Sequence, residues 1–73
     1  MSEISINVVG KTCPVPLVEV RKAIRQADEG DTITVKGTHQ ASRKEIPMAI
    51  DAMGFEILSN EQEGETWTIK IKI

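Results

Sequence analysis

The sequence is poor in cysteine and in aromatic residues. Its 73 residues include one cysteine, one tryptophan, one phenylalanine and no tyrosine. A single cysteine excludes an internal disulfide and a four-cysteine metal site, and we expect neither a metal nor a cofactor. Two aromatic side chains offer little surface on which bases could stack, so nucleic acid is not an expected direct partner.

Long apolar runs and a strong charge of one sign are also missing. No run approaches the roughly 20 residues that cross a bilayer, and the first residues form neither a basic segment nor an apolar leader. Nine basic and eleven acidic residues give a net charge of -2 and are spread along the chain. We expect a cytoplasmic protein without a membrane partner, folded as one domain over residues 1–73 with an exposed functional surface.

Alternating apolar and polar residues predict four short strands. Their ranges are Ile4–Val9, Thr32–Lys36, Phe55–Ser59 and Thr66–Ile73. A polar turn is expected at Asn60–Gly64, so the last two strands should form a hairpin.

Two helices are predicted from apolar residues at helical spacing. The first covers Val15–Ala27. The second follows a polar loop at 37–41, begins with a capping box at Ser42–Glu45 and ends at Gly54. Pro47 predicts an irregular or kinked start of this helix, because proline beyond the first turn removes a hydrogen bond.

The predicted order is β-α-β-α-β-β. The alternation in the second and fourth strands indicates a sheet with one covered face. We therefore predict an α/β chain of the α+β two-layer sandwich type, with two helices on one face of a four-stranded mixed sheet. Right-handed crossovers would bring the loops after the first two strands to the same edge, so Cys13 should lie near the loop 37–41.

The only cysteine lies in the segment Gly10-Lys11-Thr12-Cys13-Pro14-Val15-Pro16, just before the first turn of the first helix. A helix N-terminus stabilises a thiolate and lowers the pKa of the thiol. Pro14 suits the first helical position, and Pro16 removes a further donor, which leaves Val15 as the main backbone donor to the sulfur. The segment predicts a reactive thiol. The alternative is that Cys13 is a small buried apolar residue.

Gly10-x-x-Cys13-Pro14-x-Pro16, together with Glu45-Ile46-Pro47, resembles the TusA/SirA/YedF family of small sulfur-carrier proteins. The resemblance covers nearly the whole chain and implies the same two-layer sandwich. It also implies that Cys13 accepts a persulfide sulfur from a cysteine desulfurase or related donor and passes it to an acceptor protein. Such a protein is a carrier more than a catalyst. The pathway stays open among tRNA thiolation, molybdenum-cofactor maturation, sulfur oxidation and selenium handling.

The chain departs from the family pattern around this motif. Asn7 stands where an aspartate is common, and Glu45 replaces the usual aspartate before Ile46. The segment 38–40 has Thr-His-Gln, where the family often has two aspartates and a proline. The residues that we expect to aid docking or to modulate the thiol pKa are Lys11, His39, Arg43, Lys44 and Glu45. His39 could hold a proton or orient a persulfide, or it could be an ordinary surface residue, and the cations could be ordinary solvated charges.

Two other functions fit the sequence less well. One is a non-catalytic interaction or redox-regulatory module, in which Cys13 senses oxidants or is only structural. The other is an RNA-binding domain of similar topology, which the acidic balance and the few aromatic residues disfavour.

Overall fold

The computed structural model of the protein describes residues 3–12 and 15–73. Two of the predicted site residues, Cys13 and Pro14, lie outside the described residues. The elements are β1 (Glu3–Val8), α1 (Val15–Gln26), β2 (Thr32–Gly37), α2 (Gln40–Ala52), β3 (Glu56–Glu63) and β4 (Thr66–Lys72). This order confirms the predicted succession of strands and helices.

The four strands form one mixed sheet with the order β1-β2-β4-β3. β1 and β2 are parallel, whereas β4 is antiparallel to both of its neighbours, β2 and β3. The predicted hairpin of the last two strands is confirmed. Val8 at the end of β1 is in register with Gly37 at the end of β2, so the loops that follow these two strands begin side by side.

The core lies between the sheet and the two helices. Its buried apolar residues are Val8, Val20, Ala23, Ile33, Val35, Ile46, Ile50, Trp67, Ile69 and Ile71. The residues from β2 and β4 alternate with threonines and lysines that face away from the helices, as expected for a sheet that is covered on one side. Both helices pack on this one face, which confirms the predicted two-layer sandwich.

β3 is longer than the sequence predicts. The predicted end at Ser59 and the predicted turn at Asn60–Gly64 are wrong, since β3 continues to Glu63 and the hairpin turn is the short Gly64–Glu65 segment. The second half of the strand is polar because β3 is an edge strand whose side chains there are exposed. Such a segment lacks the apolar alternation that marks a strand, and its backbone pairing with β4 decides the conformation.

α2 begins earlier than the sequence predicts. Its first residue is Gln40, and the N-cap is His39 rather than Ser42. Ser42 lies in the first turn and is buried, so the predicted capping box is wrong, and the connecting loop shrinks to residues 38–39. The ring of His39 supplies the acceptor that a serine or aspartate N-cap usually provides. Pro47 lies in the middle of α2, well beyond its first turn, and not near an irregular start.

Candidate functional site

The candidate site is the edge of the sheet where the β1–α1 and β2–α2 loops meet. The backbone N–H of Gly10 donates to Thr38 Oγ1 over 3.0 Å, which joins the two loops directly. The prediction that these loops share one edge is therefore confirmed. The described residues that flank Cys13, namely Lys11, Thr12 and Val15, belong to the first of these loops or begin the helix after it.

Gly10 is placed by a tight turn at the end of β1. The N–H of Lys11 donates to the carbonyl oxygen of Val8 over 3.0 Å, and Gly10 has a φ of 81°. A residue with a Cβ is strained in this left-handed conformation, so the turn accounts for the glycine. The side-chain oxygen of Asn7 accepts from the N–H of Val9 over 3.0 Å, a contact that an aspartate carboxylate could equally make.

A local backbone hydrogen bond lies at the start of α1. The N–H of Val15 donates to the carbonyl oxygen of Thr12 over 3.0 Å. This N–H therefore has an oxygen acceptor, while the sulfur to which the sequence predicts that it donates lies outside the described residues. Pro16 is fully buried, so its ring anchors the first turn of α1 in the core.

His39 is a half-buried capping residue. Its Nδ1 lies 2.8 Å from Ser42 Oγ and accepts from the N–H of Ser42 over 3.3 Å. The backbone oxygen of His39 accepts from Trp67 Nε1 over 2.9 Å, which ties the loop to a fully buried core residue. The ring is thus engaged in the start of α2, and its proposed action on the sulfur stays a prediction.

Gln40 links the β2–α2 loop to a third loop. Its Nε2 donates to the carbonyl oxygen of Thr38 over 3.1 Å and to that of Glu65, in the β3–β4 turn, over 3.3 Å. The sequence marked Thr38 and Gln40 only as departures from the family pattern. The structure shows that both bond between loops, a role that no short-range sequence signal reveals.

Trp67 and Gly37 lie in the sheet next to these loops. Trp67 is fully buried on the central strand β4 and belongs to the core. It is in register with Gly37, where an added Cβ would lie 2.6 Å from a carbon of the indole ring. The sequence did not single out Gly37. Its requirement comes from a close approach between two strands, which only the three-dimensional arrangement makes visible.

The charged candidates differ in their contacts and exposure. Arg43 reaches across to β3, where its Nε donates to Asn60 Oδ1 over 3.1 Å and its Nη1 donates to Gln62 Oε1 over 2.7 Å. Lys11 and Lys44 are exposed, and Glu45 is half-buried. The structure therefore places Lys11 in the β1–α1 loop and holds Arg43 against β3. Their roles in docking stay predictions.

Exposed apolar side chains flank the β1–α1 loop. Val9 is 44% exposed, Val15 is 39% exposed and Val18 is 42% exposed. All three lie within five positions of Cys13 in the sequence. Exposed apolar residues beside a functional loop offer surface that a partner protein can cover.

The described residues were searched for metal ligands and for membrane-spanning helices. Within residues 3–12 and 15–73, no group of three or more His, Cys, Asp or Glu side chains is arranged to hold a metal ion. No helix in this part of the chain is long and apolar enough to cross a membrane.

The fold and the linked loops define a small α+β sandwich in which a Gly-x-x-Cys-Pro-x-Pro segment follows the first strand. The family described as "Sulfurtransferase TusA" matches residues 4–73, and the chain belongs to this family. The family description supports a sulfur-carrier or sulfurtransferase type of role. The match also confirms the resemblance that the sequence motif indicated.

Individual relatives agree with the family match. A protein from Thermotoga maritima, named "Putative sulfur carrier protein", is 33% identical over 70 residues, covering 94% of this chain and 89% of that protein. A protein of the same name from Archaeoglobus fulgidus is 30% identical over 67 residues, covering 92% of each chain. The crystal structure of a SirA-like protein from Desulfitobacterium hafniense superposes with a TM-score of 0.76 at 23% identity, covering 97% of this chain and 95% of that chain. This last likeness supports the fold.

Proposed function

We propose that this protein carries sulfur as a persulfide on Cys13, between a donor such as a cysteine desulfurase and an acceptor protein. The observation that carries the proposal is the family match over residues 4–73, which includes the only cysteine of the chain. A sulfurtransferase without a cofactor needs a nucleophile that can hold sulfur, and a cysteine thiolate is the side chain suited to this. A single free thiol also suits a reducing compartment, and we propose the cytoplasm.

The proposed transfer needs no oxidant. The thiolate of Cys13 attacks the outer sulfur of a persulfide on the donor, a new S–S bond forms, and the S–S bond of the donor breaks. The donor leaves as a thiolate, so one persulfide is lost and one is gained. The acceptor then takes the outer sulfur from Cys13 by the same kind of exchange.

The architecture around the motif supports a carrier that meets two partners in turn. The flanking residues Lys11, Thr12 and Val15 are exposed, and the exposed Val9 and Val18 lie nearby in the chain. A thiol carried on an exposed loop needs no enclosed pocket, and a partner enzyme supplies the rest of the reaction environment.

The direct test is the intact mass of the protein after incubation with a cysteine desulfurase and free cysteine. We expect a gain of one sulfur atom that a reductant reverses and that the variant Cys13→Ser does not show. The variant should keep the wild-type melting temperature, because a site of transfer contributes little to packing. A large loss of stability in Cys13→Ser would favour the alternative that this residue belongs to the core.

A parallel treatment with hydrogen peroxide distinguishes the carrier from the main competing function. A redox-regulatory module would form sulfenic acid or mixed disulfides when treated with hydrogen peroxide, yet it would take no sulfur from the desulfurase. Trapping of a sulfenic acid without any sulfur gain would therefore overturn the proposal of a carrier.

A further inference from the structure

The β1–α1 loop is tied to the remainder of the molecule by a specific side chain. Among the hydrogen bonds described for Val9–Thr12, the bond from Lys11 N–H and the bond from Val9 N–H are local to this segment. The bond from Gly10 N–H is different, because it reaches 28 residues along the chain to Thr38 Oγ1. The hydroxyl of Thr38 therefore fixes the loop relative to another element.

Thr38 is itself held firmly. Its carbonyl oxygen accepts from Gln40 Nε2, which also donates to Glu65 in the β3–β4 turn. The neighbouring His39 accepts from the fully buried Trp67 through its backbone oxygen. Threonine is also branched at Cβ, which restricts the rotation of its side chain. The hydroxyl is thus a fixed point, anchored through the next two residues to the core and to a third loop.

We propose that Thr38 is a positioning residue for sulfur transfer, which acts by holding Gly10 and so the loop that presents the thiol to partner proteins. This inference rests on the proposed function of Cys13. Thr38 takes no part in bond making or breaking. By holding Gly10, it lowers the entropy that the loop loses when a partner protein docks. A small reagent reacts without ordering the loop, so this entropic cost does not affect its reaction.

The experiment compares Thr38→Val, which keeps the shape of the side chain but removes the acceptor, with Thr38→Ser, which keeps the hydroxyl. Two rates are measured for each protein. The first is sulfur loading from a cysteine desulfurase supplied with cysteine, measured as kcat/KM for the carrier. The second is alkylation of Cys13 by iodoacetamide, which requires the thiol alone.

We expect loading of Thr38→Val to fall by roughly two- to tenfold, the range that the net free energy of one hydrogen bond corresponds to. Loading of Thr38→Ser should be close to that of the wild type, and alkylation should stay unchanged in both variants. Thr32→Val is the matched control. It removes a half-buried threonine hydroxyl from the other end of β2, and its loading should equal that of the wild type.

Three results would overturn the inference. They are wild-type loading by Thr38→Val, loading by Thr38→Ser as slow as that of Thr38→Val, and a fall in alkylation that matches the fall in loading. A different result would show that the proposed function itself is wrong. In that case the wild-type protein itself gains no sulfur from the desulfurase, whatever the variants do.

Discussion

Gly37→Ala should destabilise the fold strongly, although the substitution adds only a methyl group. The new Cβ would lie 2.6 and 2.8 Å from two carbons of the Trp67 ring and 2.9 Å from a methyl carbon of Val8. Neither neighbour can move easily. Trp67 is fully buried and its Nε1 donates to His39, while Val8 is paired with Gly37 across the β1–β2 ladder.

The magnitude follows from two effects. Adding a methyl group to a well-packed core costs about 1–3 kcal/mol. If the indole ring shifts to make room, the hydrogen bond to His39 is strained or lost, which adds about 1 kcal/mol. We therefore expect the free energy of unfolding to fall by roughly 2–4 kcal/mol, a large part of the total stability of a small domain.

The assay is urea unfolding followed by circular dichroism, with the midpoint and the slope determined for each variant. Both contacting ring atoms belong to the six-membered ring of the indole at positions that the smaller ring of phenylalanine leaves empty. In the background of Trp67→Phe, Gly37→Ala should therefore cost much less, and a double-mutant cycle measures the difference. The reasoning is refuted if Gly37→Ala costs less than about 0.5 kcal/mol in the wild type, the scatter expected for surface substitutions, or if its cost is the same in both backgrounds.

Two further changes test the loops at the site by urea unfolding, and the second is also tested by sulfur loading. Gly10→Ala should lower the free energy of unfolding by about 1–2 kcal/mol, because a residue with a Cβ is strained at the positive φ of this turn, and an unchanged stability would contradict that account. His39→Ala should lower it by about 0.5–2 kcal/mol through loss of the N-cap of α2, whereas His39→Asn should restore most of the loss. If the ring of His39 only caps the helix, His39→Asn loads sulfur at the wild-type rate, and a slow but stable His39→Asn would instead support a role for the ring in the transfer.

The sequence predicts best those parts of the fold in which side-chain burial alternates regularly. β2 and β4 bury every second residue, and α1 buries Pro16, Val20 and Ala23 on one face. These patterns also explain why the order of the elements and the covered face of the sheet were predicted correctly. The polar second half of β3 was missed because its conformation comes from backbone pairing at an edge, which leaves no apolar pattern.

The candidate site was predictable only in part, for a similar reason. The glycine of the turn and the motif around the cysteine are local signals, which are visible in the sequence alone. The start of α2 was misplaced because a histidine ring nitrogen provides its cap, which is an unusual choice. The bonds from Gly10 to Thr38 and from Gln40 to Glu65 join residues 28 and 25 positions apart, so their partners become apparent only when the chain is folded.

The polar outer edge of the sheet has a consequence for the behaviour of the protein at high concentration. An edge strand exposes N–H and C=O groups that can template pairing with a strand of another molecule. β3 counters this with exposed carboxylates at Glu56, Glu61 and Glu63, which repel the same edge of a second copy, and with a register shift at Leu58 that interrupts a continuous ladder. The polar half of β3, which the sequence did not predict as a strand, therefore disfavours pairing of this edge with the same edge of a second molecule.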